Sequence, residues 1–219
     1  MSDELPPLKY NDRVLFVGKT QSGKTYAAGL LLSGFERLIV LDPKGLLGDA
    51  YRKRAGLYSW NLTDIDSPDG PAVARSLRDG GPGRLRIPVP THVDDEEAYF
   101  DAWLGFAYRI QHVTVYIDEV MGVTSGTRPP RWLRLLYSRG AERNTGVWAA
   151  TQLPTGIPRV IKTESDWYFL FRLTDPDDQD TMARKFGAIA RRKLDKRQFF
   201  LYHDTMDGPL YYPYITAKE

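Results

Sequence analysis

Gly18, Gly23, Lys24 and Thr25 stand at the spacing G-x-x-x-x-G-K-S/T, the spacing of a loop that binds phosphate. Glycines at 18 and 23 open backbone conformations closed to residues with a side chain. The amides of Lys19, Thr20, Gln21 and Ser22 can then turn inward around phosphate oxygens. A helix expected to begin near Lys24 brings its positive dipole end to the same place. The Lys24 ammonium is a point charge for the β- and γ-phosphates of ATP, and the Thr25 hydroxyl is a ligand for Mg²⁺. Tyr26 follows directly and is counted with the nucleotide-binding stretch. A glycine-rich strand-to-helix turn without function is the plainer alternative. The context argues against it, because apolar Val14 to Val17 precede the loop and Tyr26-Ala-Ala-Gly-Leu-Leu-Leu32 follows it.

A second reactive group closes the apolar run Val113-Thr-Val-Tyr-Ile117. A carboxylate at the C-terminal end of a buried parallel strand lies beside the phosphate loop in an α/β sheet. Asp118 is expected to hold Mg²⁺ through water, and Glu119 to orient or deprotonate an attacking water. The pair points to hydrolysis and not to phosphoryl transfer onto an organic acceptor. Two acidic residues that merely mark a strand end are the alternative. Gln152 ends another run, Gly146 to Thr151. If that strand lies between the loop strand and the Asp-Glu strand, Gln152 sits where a γ-phosphate sensor belongs.

These residues need a sheet to hold them. Arg13 to Val17, a helix ending near Ser33 with Gly34 as its C-terminal cap, and Arg37 to Leu41 make a strand–helix–strand unit with a right-handed crossover. Short strands are expected around Leu57 to Trp60 and Arg84 to Pro88, with a small helix from Pro71 to Arg78 between them. Helices are expected from Asp94, from Pro130 to Ala141 and from Pro176 to Phe186, and a strand from Trp167 to Leu173. Gln198 to His203 and Leu210 to Tyr214 suit a terminal hairpin across Asp207-Gly208. The 219 residues fit one α/β domain.

Composition excludes several chemistries. There is no cysteine, so no disulfide or thiol catalysis. His92, His112 and His203 lack metal-ligand spacing. No apolar run approaches the ~20 residues that span a bilayer, and the acidic N-terminus does not read as a signal peptide, so a cytoplasmic protein is the expectation. Thirty basic residues against 28 acidic ones leave a net charge of only +2. Any nucleic-acid site must therefore come from local clusters. Arg128, Arg131 and Arg134 around Trp132 are one such cluster. Arg52-Lys-Arg54 is a second, and Arg191-Arg-Lys193 with Lys196-Arg197 a third. A solvated surface run is the plainer reading of each.

Four stretches in order resemble the FtsK–HerA superfamily of DNA-pumping ATPases: the loop, Leu41-Asp-Pro-Lys-Gly45, Ile117-Asp-Glu119, and Arg143-Asn-Thr-Gly-Val-Trp-Ala-Ala-Thr-Gln152. The resemblance runs from about Val14 to Leu173. It implies a P-loop NTPase of the RecA/FtsK-like additional-strand class, with a mainly parallel central sheet flanked by helices. The chain is expected to lack the membrane helices, the DNA-reading tail and other flanking elements of the cellular motors. The chain therefore looks most similar to genome-packaging ATPases of viruses with an internal membrane. That implies a double-stranded DNA translocase in the host cytoplasm, with a capsid vertex or membrane-associated viral proteins as partners. It also implies a homo-oligomeric ring of roughly five or six subunits with ATP at the interfaces. An arginine from one subunit would meet its neighbour's γ-phosphate: Arg143 matches that position, with Arg139 one helical turn earlier in reserve. Asp42 matches a superfamily motif and would shape the nucleotide site, although a strand-ending turn explains it too. A cellular or plasmid-borne DNA-transfer motor, a P-loop nucleotide kinase and a nucleotide-gated assembly protein are the competing readings.

Overall fold

In the computed structural model, which describes residues 8–47 and 61–213, the apolar runs become the strands of one nine-stranded sheet. In chain order come β1 (Arg13–Val17), α1 (Lys24–Leu32), β2 (Arg37–Asp42), β3 (Thr63–Asp64), α2 (Gly70–Arg78), β4 (Gly83–Pro88), α3 (Glu96–Ile110) and β5 (Val113–Ile117). Then follow α4 (Arg131–Arg139), β6 (Thr145–Thr151), α5 (Arg159–Glu164), β7 (Trp167–Leu170), α6 (Pro176–Phe186), β8 (Phe199–His203) and β9 (Leu210–Tyr212). The strand expected at Leu57 to Trp60 and the basic run Arg52 to Arg54 lie outside the described residues, as does Tyr214.

The strand order is β3-β4-β2-β5-β6-β1-β7-β8-β9. All pairs from β3 to β7 are parallel, and the hairpin strands β8 and β9 add antiparallel. β6 separates β1 from β5, which is the arrangement the additional-strand class requires. Both faces of the sheet are covered, so alternate residues of each strand enter two cores. Leu15, Val17, Ile39, Leu41, Val115 and Ile117 pack with Phe100 and Leu104 of α3 and Leu133 and Leu136 of α4. Val14, Phe16, Leu38, Val40 and Tyr116 pack on the other side with Ala27, Ala28 and Leu32 of α1.

Helix starts follow local chemistry. Asp95 Oδ1 accepts the Ala98 amide at 2.9 Å and caps α3, with Glu96 and Glu97 in its first turn. Asp175 caps α6 through the amides of Asp177 and Asp178, with Pro176 in the first turn.

Two expectations need correction. Gly34 is not a left-handed cap, since it is absent from the glycines with positive φ. The Phe35 amide instead closes a turn onto the Leu32 carbonyl at 3.1 Å, which needs no left-handed residue. The strand expected to Leu173 stops at Leu170. Beyond it the Arg172 carbonyl accepts the Lys19 amide at 2.9 Å, so the chain leaves the sheet to support the phosphate loop.

One buried ion pair fixes the end of β2. Arg86 donates from Nε and Nη2 to Asp42 Oδ2 at 2.9 and 2.6 Å, and from Nη1 to Asp64 Oδ1 at 3.0 Å. The Asp42 side chain is wholly buried and also accepts the Leu46 and Leu47 amides. Arg86→Ala is expected to cost about 3–5 kcal/mol, because it leaves a buried carboxylate without counter-charge. Denaturant unfolding measures this, and a loss under about 1 kcal/mol, as for an exposed pair, would contradict it.

Candidate active site

Parallel register brings five strand ends to one edge. Val17 lies opposite Thr151 of β6 and Leu170 of β7, while Ile117 lies opposite Leu41 of β2 and Ala149 of β6. The loop after β1, Asp118-Glu119 after β5, Gln152 after β6 and Arg172 after β7 therefore share the carboxyl edge, where α/β sheets bind ligands. Gly18 N donates to the Thr151 carbonyl at 3.1 Å, and Asp118 N donates to the Leu41 carbonyl at 3.1 Å.

The loop glycines are needed for two different reasons. Gly23 has φ 116°, a left-handed value, and a Cβ there would stand 3.1 Å from Arg197 Cα. Gly18 is required by close approach: a Cβ there would meet Phe171 Cβ at 2.6 Å. The other left-handed loop residue is Gln21, φ 62°. Ser22 Oγ is buried inside the loop without a hydrogen-bond partner among the described residues.

Lys24 is 6% exposed and its Nζ folds back on the loop, donating to the Gly18 and Lys19 carbonyls at 2.6 and 3.0 Å. Burial pushes its ammonium down to about 8, partly opposed by Glu119 and Asp118. Phosphate oxygens favour the charged form, so a bound nucleotide raises this pKa. Nucleotide affinity is therefore full below about pH 8, where the free protein already carries the proton. It falls above that by up to about tenfold per pH unit, and binding there takes up a proton. Titration calorimetry in buffers of different ionisation enthalpy reads that uptake. Affinity constant between about pH 7 and 9 would contradict it.

Thr25 Oγ1 donates to Asp118 Oδ1 at 2.7 Å, and Tyr116 OH donates to the same oxygen at 2.9 Å. Burial raises the Asp118 pKa, offset in part by these two hydrogen bonds, while Asp42 adds repulsion. A buried carboxylate so placed gains from a cation. Mg²⁺ takes one or two protein oxygens together with phosphates and waters, and the Thr25–Asp118 oxygens fit that habit.

Glu119 is 5% exposed. Its Oε2 accepts from Lys44 Nζ at 3.1 Å, while Oε1 is buried with no partner among the described residues. Leaving such an oxygen unpaired costs about 1–3 kcal/mol in folding, a cost retained at sites that act on something else. Gln152 Oε1 accepts from Thr20 Oγ1 at 2.6 Å, so the expected sensor touches the loop. The Asp42 carboxylate is taken by Arg86 and the Leu46 and Leu47 amides, and from there its charge acts on Asp118. It also acts on the turn that carries Lys44.

Arg143 and Arg139 are not brought to this edge. Arg143 precedes Thr145, at the start of β6, and the loop meets β6 at Thr151. Six residue steps along the strand separate those ends, about 20 Å. Arg143 Nε donates to the Tyr108 carbonyl at 3.1 Å, and its guanidinium lies 4.5 Å from the Tyr108 ring centroid. Arg139, in the last turn of α4, is exposed.

Several neighbours of the site were not singled out in the sequence. Lys44 had a signal, since it lies inside the Asp-Pro-Lys-Gly stretch. Tyr116 had a weaker one, two residues before Asp118. Arg172 had none, and Lys196 was noted only as part of a basic run. They line a cleft of about 220 Å³ beside Lys19 to Ser22. Arg197 covers the Tyr26 ring, 4.0 Å from its centroid, and donates its amide to the Ser22 carbonyl at 2.8 Å.

No protein-family model matches the chain. It is 32% identical over 176 residues to the DNA packaging ATPase P9 of Enterobacteria phage PRD1, across 78% of this chain and 68% of that protein. Its fold is similar to the genome packaging NTPase B204 of Sulfolobus turreted icosahedral virus 2 in complex with ATP-gammaS. There the TM-score is 0.71 at 13% identity over 95% of this chain and all of that one. VirB4 of Thermoanaerobacter pseudethanolicus is also similar in fold, with a TM-score of 0.66 at 11% identity over 94% of this chain and 90% of that one.

Proposed function

Because the chain belongs to the family of the phage PRD1 DNA packaging ATPase P9, we propose that it hydrolyses ATP to drive double-stranded DNA into a preformed viral capsid. The observation that carries this reading is the Thr25–Asp118 contact together with a buried oxygen of Glu119 that has no partner among the described residues. The loop amides and Lys24 hold the β- and γ-phosphates. Thr25 and Asp118 would hold Mg²⁺, which would supply charge neutralisation at the phosphate oxygens. Glu119 Oε1 accepts a proton from a water whose oxygen attacks the γ-phosphorus. The bond to the β–γ bridging oxygen breaks, and ADP and phosphate result. Lys44 fixes the other Glu119 oxygen, and Gln152 reports the γ-phosphate to the loop through Thr20.

The motor domain works as a homo-oligomeric ring of roughly five or six subunits. In it Arg143 reaches the γ-phosphate held by a neighbour, a role supported by its place at the far edge of its own sheet; Arg139 lies beside it. The ring acts in the host cytoplasm at a capsid vertex, together with vertex or membrane-associated viral proteins. Among the described residues, no helix is long and apolar enough to cross a membrane.

Steady-state ATP hydrolysis with and without linear duplex DNA, over a protein concentration series, tests this. Turnover per subunit should rise with both. Turnover indifferent to both would make the protein a self-contained nucleotide enzyme instead.

A further inference from the structure

A cleft of about 560 Å³ opens between α3 and the segment leading into α4, and no residue of the phosphate loop lines it. Arg128, Arg131 and Arg134 line it, with Glu97 and Ser125 also in its walls. All three arginines are exposed. None has a carboxylate within ion-pair distance among the described residues, whereas Arg13, Arg86 and Arg191 are each paired. Of the acids near them, Glu97 accepts the Ser125 hydroxyl and keeps its charge, and Asp101 acts electrostatically on Arg131; the three arginines outnumber these two. The cleft therefore concentrates positive charge in a chain whose net charge is only +2.

The backbone that presents these arginines is stiff. Arg128 forms an antiparallel bridge with Ser125, and Pro129 and Pro130 follow with φ fixed by their rings. Asp101 of α3 accepts the Trp132 amide at 2.8 Å and pins the first turn of α4. Arg131 and Arg134 stand three apart on that helix, so they share a face. Guanidinium forks match phosphate oxygens in pairs, and a stiff mount lowers the entropy cost of binding.

The chemistry favours duplex over single-stranded nucleic acid. Sequence-tolerant single-strand sites offer open aromatic faces to stack bases. No aromatic among the described residues lines the cleft, and Trp132, next to Arg131 in the chain, is half-buried and already flanked by Arg131 at 5.0 Å, Arg109 at 5.5 Å and the Tyr108 ring at 5.5 Å. What remains is a phosphate-binding surface without base readout.

We propose that Arg128, Arg131 and Arg134 form the surface that grips the phosphate backbone of duplex DNA. This rests on the reading of the chain as a DNA motor. The test is anisotropy of labelled duplexes of unrelated sequence across a salt series. The proteins are the wild type, the three single alanine variants, the triple alanine variant and the triple Arg→Lys variant. ATP binding, for which these residues are given no role, serves as the check on folding.

For the triple alanine variant, the slope of log affinity against log salt should shrink by about three, near 0.9 for each phosphate no longer neutralised. Each single variant should reduce it by about one, equally on all sequences. The lysine variant should keep most of the slope. Three results would overturn the proposal. A wild type that binds while the triple variant keeps the same slope places DNA elsewhere and leaves the motor reading intact. A triple variant that no longer self-associates, with an unchanged slope, makes the cleft an interface between subunits. A wild type that binds no duplex at any salt removes the motor reading and this surface with it.

Discussion

Arg143→Ala is expected to lower ATP turnover by about 10³–10⁵-fold while nucleotide affinity stays close to wild type, as for arginines supplied across an interface. In its own subunit Arg143 rests on the Tyr108 ring and carbonyl, roughly the length of β6 away from the loop. It cannot touch the γ-phosphate bound there, so its removal leaves the phosphate cradle intact. Mixing provides the sharper readout. Lys24→Ala and Arg143→Ala are each expected to be inactive alone. If the subunits assemble as the proposed ring, a mixed ring would contain some interfaces with an intact loop from one variant and an intact arginine from the other, so activity should reappear on mixing. Near-normal turnover by Arg143→Ala would move the role to Arg139 or abolish it. Two inactive variants that stay inactive in demonstrably mixed rings would show that the arginine does not act in trans.

Glu119→Gln should retain ATP and stop turning it over, with a drop of about 10²–10⁴-fold, the range for a positioned general base. The substitution keeps shape and keeps an oxygen for Lys44 Nζ, which now sits 3.1 Å from Oε2. It removes the negative charge next to the buried, unpaired Oε1. On the proposed reading the phosphate contacts come from the loop and Lys24, so binding should change little. Single-turnover hydrolysis with a parallel binding titration separates the two effects. Turnover within tenfold of wild type would assign proton removal to another group.

Much of this site was legible because its residues are punctuation. Glycines at fixed offsets, a carboxylate pair after an apolar run and a glutamine after another all mark strand ends. A parallel sheet brings strand ends together whatever the rest of the chain does. The position of β6 between β1 and β5 followed from the resemblance and not from spacing, since nothing local encodes strand order. Lys44 depends on a turn that is itself held by Arg86, 44 residues further along from Asp42, and such long-range support has no local signal. Arg172 is similar: its carbonyl serves the loop only because β7 lies against β1. The reason for Gly18 was also hidden. Backbone freedom was the expectation, and the approach of Phe171 from the end of β7 is what forbids a side chain.

DNA movement itself is the most direct test of a packaging motor. A third strand annealed to a linear duplex reports translocation, because a motor running along the duplex strips it off. ATP-dependent release is expected from the wild type, none from Glu119→Gln, and little from the triple alanine variant at Arg128, Arg131 and Arg134. ATP hydrolysis stimulated by duplex DNA, with the third strand left in place by rings shown to be assembled on it, would contradict a motor that moves along duplex DNA.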